Sequence, residues 1–213
     1  MNTSITLAKN PEHYQPLDDI ILELKSSLPW LWQDGFQVGA NEGYYGPGRL
    51  FGARAGLGHH LSAYNVTHEV SHAIEMTLLP SRVWKRRVKQ DAFGMRIKSY
   101  QDIMGQRYFE AQTMQATERE CRVGGIQKHI LESGGYDTSD FIRKYVLVLR
   151  YMADSYFGGH SPLNAPNPEQ YTDEIHAWVN LRTKLVEESY ARHTLEDIQD
   201  RWTKIMKWLR TSD

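Results

Sequence analysis

The sequence predicts an α+β fold, mostly helical with a small mixed sheet, and three observations predict it. Apolar residues recur at helical spacing over most of the chain. From Trp30 to Gly58, glycines cut the chain into short apolar pieces such as Phe36-Gln37-Val38 and Arg49-Leu50-Phe51, a texture of strands and turns. A second strand-like piece runs from Asp91 to Ile97.

Taken in order, Pro16 to Ser27 reads as a helix, with Leu17, Ile20, Ile21 and Leu24 on one face and Pro29 closing it. In the glycine-rich stretch that follows, Gly46-Pro47-Gly48 lacks the Gly-Lys-Ser/Thr of a phosphate cradle. Ser62 to Leu79 is helical, and Pro80 supplies the stop. Residues 81–90 carry five cationic side chains, read as a solvated face. Gln106 to Leu131 is a long helix ended by Gly134-Gly135. Asp140 to Tyr156 is another, with Phe141, Tyr145, Val146, Leu149 and Met152 on one side. Gly158 to Pro168, with two glycines and three prolines, is the clearest loop. Beyond it, Glu169 to Ala191 and Thr194 to Leu209 are helices, the last with Leu195, Ile198, Trp202, Ile205, Met206 and Leu209 on one face and Thr194 and Asp197 placed for capping. That stripe is expected on the protein's own core, with a dimer surface as the alternative.

Composition narrows the function. Among 213 residues, 25 Lys and Arg stand against 26 Asp and Glu, for a formal charge of −1. A nucleic acid partner bound by phosphate neutralisation is not expected from that balance. No apolar run reaches membrane-spanning length, and Met1 to Asn10 does not resemble a signal peptide. A single cysteine, Cys121, cannot close an internal disulfide, so the expected compartment is the cytoplasm and the thiol is read as a small buried hydrophobe.

The chemistry is concentrated in His68-Glu69-Val70-Ser71-His72. Two histidines four apart on a helix project from one face and can share one divalent metal ion. They lie near one stripe with Leu61, Tyr64, Met76 and Leu79, and buried imidazoles need partners. Glu69 points near that face without sharing its stripe, the place for a general base acting on a metal-bound water. A third ligand is required. Glu120 lies in a seam of apolar or small residues, Phe109, Thr113, Ala116, Val123, Gln127 and Ile130, where a carboxylate is costly unless paired or bound to metal. Glu118 is the alternative third ligand. Gly124-Gly125 is expected to let this helix approach the histidine helix closely. Glu75, three residues after His72, is read as a carboxylate behind the ligands, a ligand to a second ion, or a surface charge. His59-His60 is read as an exposed loop pair, and His129, His160, His176 and His193 have no partner at metal-binding spacing. Residues 1–157 are taken as a zincin-like metal-binding domain built around the motif helix, and 158–213 as a helical extension packed on it.

Several of these pieces resemble the elongation factor P hydroxylases. They are Ser62-Ala63 leading into the His68–His72 motif, Arg86-Arg87, Asp91-Ala92-Phe93-Gly94, Ala111-Gln112-Thr113, and Glu118-Arg119-Glu120. His13-Tyr14 and Glu42-Gly43-Tyr44-Tyr45-Gly46-Pro47 extend the likeness over about residues 12 to 130. The resemblance implies Fe(II) held by His68, His72 and Glu120, and an oxygenase that hydroxylates a lysine-type side chain of a protein substrate, a translation factor; the basic charge of Trp84 to Lys89 suits docking of an acidic protein or RNA-associated partner. Compared with that family, this chain has extra residues between the histidine motif and the glutamate helix, Val123-Gly124 where proline and glutamine are expected, and a longer C-terminal region.

Two other readings use the same residues. A Zn(II) metallopeptidase of the glutamate-zincin type needs a strand before the motif helix, Arg49 to Arg54, that offers its edge to an extended peptide. A non-catalytic metal-binding interaction module puts the Trp202 and Met206 stripe to work. Imidazole and carboxylate donors suit both iron and zinc. The expected assembly is a monomer or homodimer.

Overall fold

The computed structural model describes residues 8–35, 37–39, 45–46, 49–51, 60–78, 80, 117–157 and 173–210. The basic segment 82–89, the expected strand 91–97, residues 106–116 of the glutamate helix and the loop 158–168 lie outside the described residues.

The described part is mostly helical. Strand β1 (Gln15–Pro16) leads into α1 (Leu17–Ser27), whose Asp18 and Asp19 stand at the positive helix end and Lys25 at the negative one. Ile20 and Leu24 are its buried anchors. A 3-10 helix (Pro29–Gly35) follows, then β2 (Gln37–Gly39), β3 (Tyr45–Gly46), β4 (Arg49–Phe51) and β5 (His60–Leu61). β1 pairs antiparallel with β5, matching Gln15 to Leu61. β2, β4 and β3 form a second small sheet in that order, with β4 parallel to β2 and antiparallel to β3. β4 is therefore a middle strand with a neighbour on each side. The peptidase reading expected an edge strand there.

Helix α2 (Ala63–Met76) carries the histidine motif. Ser62 caps it reciprocally with Asn65: the Asn65 amide donates to Ser62 Oγ at 3.3 Å, and the Ser62 amide donates to Asn65 Oδ1 at 3.2 Å. The helix ends in a turn at Thr77 and Leu78, short of Pro80. Its core face is Val66, Val70, Ala73 and Ile74. The imidazoles lie beside that face, not in its centre as the stripe through Leu61 and Met76 suggested.

Helix α3 (Thr117–Ser133) runs into Gly134-Gly135. Gly135 takes φ +75°, and the Tyr136 amide donates back to the Leu131 carbonyl at 3.0 Å, so the last carbonyls find donors in a left-handed cap that favours glycine. Helix α4 (Phe141–Phe157) buries Phe141, Tyr145, Val146 and Leu149, as its periodicity predicts.

Helices α5 (Asp173–Arg192) and α6 (Leu195–Arg210) complete the core. Thr194 and Asp197 cap α6: the Asp197 amide donates to Thr194 Oγ1 at 3.1 Å and the Thr194 amide returns to Asp197 Oδ2 at 3.3 Å. Ile198, Trp202, Ile205 and Met206 are buried, and the Trp202 indole donates to the Leu31 carbonyl at 3.1 Å. The stripe is core, so the interaction-module reading loses its working surface. Arg201 Nη1 donates to the Thr77 carbonyl at 3.3 Å, which ties α6 to the end of the histidine helix. No helix among the described residues is long and apolar enough to cross a membrane.

Candidate metal centre

One helical turn separates His68 from His72, and their rings meet nearly at right angles, 86° apart, with Nε2 atoms at 3.1 Å. Glu120 enters from the first turn of α3. Its Oε2 lies 3.5 Å from His72 Nε2 and 3.8 Å from His68 Nε2. A point equidistant from the three atoms lies about 2.0 Å from each, the length of a zinc bond to imidazole or carboxylate. Among the described residues this is the group of histidine and acidic side chains that can hold a metal ion. The donor set fits a single ion, two neutral nitrogens and one carboxylate, and the three side chains keep 25%, 17% and 29% of their surface.

Electrostatics prepare the donors. Burial lowers the His68 pKa, and burial together with the charges of His68 and Arg119 lowers that of His72 well below its usual value, so both rings are neutral at pH 7. Burial pushes the Glu120 carboxyl up to about 7, with Glu69 and Glu75 adding to the rise and Arg119 and Tyr145 opposing it. A cation bound here displaces the Glu120 proton. Metal affinity is accordingly expected to rise about tenfold between pH 6 and pH 8, with about half a proton released per ion at pH 7 and nearly a whole one at pH 6. Titration calorimetry in buffers of different ionisation enthalpy measures that proton, and a pH-independent affinity would separate Glu120 from the ion.

Glu118, the alternative ligand, is exposed and outside the group. Glu69 is half-buried beside His68, and its charge reaches Glu120. Glu75 is buried and grips α3. Its Oε2 accepts from Arg119 Nε at 3.0 Å, and its Oε1 accepts from Arg122 Nε at 3.0 Å and Nη2 at 2.8 Å. It therefore backs the site mechanically, as neither a second metal's ligand nor a surface charge. Two arginines flanking Glu120 in sequence and sharing one carboxylate on α2 fix the rotation of α3, which aims Glu120 at the histidines. These charge-assisted bonds are the strong kind, although the half-exposed arginines blunt their contribution.

The glycine pair serves other partners than the sequence suggested. A side-chain carbon on Gly124 would lie 2.6 Å from the Tyr145 ring, and one on Gly125 would lie 2.5 Å from the Tyr190 backbone nitrogen. They admit α4 and α5, not α2. Tyr145 thereby packs against α3, and its hydroxyl donates to the Glu120 carbonyl at 2.8 Å. The Tyr64 ring lies parallel to His68 with centroids 6.1 Å apart, and Tyr145 lies 6.0 Å from the same ring.

Those two tyrosines also line a cavity of about 660 Å³, together with Tyr14, Leu147, Val148 and the ion pair of Glu12 with Lys144 at 3.5 Å. Three aromatic rings thus stand beside a carboxylate and an ammonium group that offset each other.

The sequence reading missed Arg119, Arg122, Tyr145 and the role of Gln127. Gln127 stands seven residues after Glu120, hence on the same helix face, and a buried amide there demanded partners. Among the described residues the remaining histidines stay out of the metal group. His129 stacks on Tyr190 and bonds its carbonyl at 2.7 Å, His193 is buried and His176 exposed. His60 lies in β5, while His59 and His160 fall outside the described residues. Burial pushes the Cys121 thiol up to about 12, so it is an inert core residue. No family model, curated protein or solved structure matches the chain.

Proposed function

We propose that this protein is a non-haem iron oxygenase resembling the elongation factor P hydroxylases, zincin-like around α2, that hydroxylates a lysine-type side chain of a protein substrate. The convergence of His68, His72 and Glu120 on one point carries the reading. Fe(II) in such a two-histidine, one-carboxylate set supplies dioxygen activation. The chain's residues do the rest. The cavity lined by Tyr14, Tyr64 and Tyr145 receives the substrate's alkyl stem. Glu69 orients a water or takes its proton at the carboxylate. We place the protein in the cytoplasm, where translation factors are found and where a free thiol stays reduced.

A Zn(II) metallopeptidase is the second reading, favoured by Glu69 following His68 on the helix. Against it stands β4, whose two edges are occupied by β2 and β3. Metal analysis of protein purified without added metal, followed by dioxygen consumption with an added two-electron donor and a peptide library with Glu69→Gln beside the wild type, decides between them. The expected result is iron with iron-dependent dioxygen uptake. Zinc, with peptide turnover abolished by Glu69→Gln, would replace the oxygenase with the peptidase.

A further inference from the structure

Gln127 is fully buried on α3, and its amide touches three polar groups of α2. Its Nε2 lies 2.8 Å from the Tyr64 carbonyl and 3.3 Å from Thr67 Oγ1, while its Oε1 lies 3.1 Å from His68 Nδ1. A backbone carbonyl only accepts, so the end of the amide that faces Tyr64 must be the NH₂ group. The Thr67 hydroxyl donates to the Ala63 carbonyl at 2.8 Å, which leaves its oxygen free to accept from the same NH₂. The orientation of the amide is therefore set by two groups that have nothing to do with the metal centre. Its oxygen is what remains to face His68.

An oxygen facing Nδ1 requires a proton on Nδ1. A neutral imidazole carries one ring proton, so Nε2 is left with its lone pair, on the side where His72 and Glu120 converge. We propose that Gln127 is a positioning residue that holds His68 in its Nδ1–H form and presents Nε2 as a ready metal donor. The assignment rests on the metal centre proposed above. The hydrogen-bond chain itself, from Tyr64 and Thr67 through Gln127 to His68, runs entirely between α2 and α3 and exists without the ion.

Two variants and two readouts test it. Gln127→Met keeps the volume and removes both donor and acceptor. Gln127→Glu, as the neutral acid, keeps a donor toward Tyr64 and an acceptor toward His68. Long-range proton–nitrogen correlation on the metal-free protein reports which nitrogen of His68 is protonated, and chelator competition with zinc as the probe reports affinity. Nδ1–H is expected in the wild type and in Gln127→Glu. In Gln127→Met the Nε2–H form is expected to appear and zinc affinity to fall roughly ten- to a hundredfold. A merely space-filling glutamine would lower the stability of both variants and leave the tautomer alone. Nε2–H in the wild type, or an unchanged Nδ1–H in Gln127→Met, overturns the assignment. A wild type that holds Nδ1–H but takes up no metal upholds Gln127 and overturns the proposed metal centre.

Discussion

Glu120→Ala and His72→Ala are each expected to lose metal binding by well over a hundredfold, beyond the roughly ten- to hundredfold seen when only a supporting group is removed. Two donors remain in each variant, and the lost one is replaced by solvent. Glu118→Ala, whose side chain is exposed and outside the group, is expected to bind as the wild type does. Metal content by mass spectrometry on the three proteins, purified side by side, measures the difference. Retention of a full equivalent by Glu120→Ala, with loss in Glu118→Ala, would exchange their roles. The fold should survive Glu120→Ala, because burial raises the carboxyl to about 7 in the absence of a cation, and deleting a group that burial disfavours removes that penalty.

Gly125→Ala is expected to damage the fold more than any change at the metal centre. The added carbon would lie 2.5 Å from the Tyr190 nitrogen and 2.6 Å from both Cβ and Oγ of Ser189. Backbone cannot swing aside as a side-chain tip does, and the displaced Ser189 would also lose its 2.9 Å bond to the Arg122 carbonyl. Overpacking of this kind costs about 3 kcal/mol, which for a chain of this size lowers Tm by roughly 6–12 °C. Differential scanning calorimetry reads the shift. A Tm within a degree of the wild type would mean that α3 and α5 separate without penalty. Because Arg122 belongs to the Glu75 clamp, the same variant is expected to loosen Glu120 and weaken metal uptake.

Periodicity and capping made the helices legible. Ser62, Thr194 and the Gly134-Gly135 pair fall where α2 and α6 begin and α3 ends, because these signals act within a few residues. The motif placed His68 and His72 on one face for the same reason, and the cost of a carboxylate in an apolar seam singled out Glu120. Contacts between helices were not legible. Nothing in the spacing of Gly124 and Gly125 says which helix they admit, and the apolar stripe of α2 does not say how deep its imidazoles sit. Glu75 could be read three ways until Arg119 and Arg122 arrived from a helix more than forty residues away.

The clamp from Glu75 to Arg119 and Arg122 stands at the two ends of a long stretch of chain, one arm just after the last histidine and the others around the glutamate. It holds the relation between those ends without reference to what connects them. Changes confined to the sequence between α2 and α3 are therefore expected to leave the spacing of His68, His72 and Glu120 as it is.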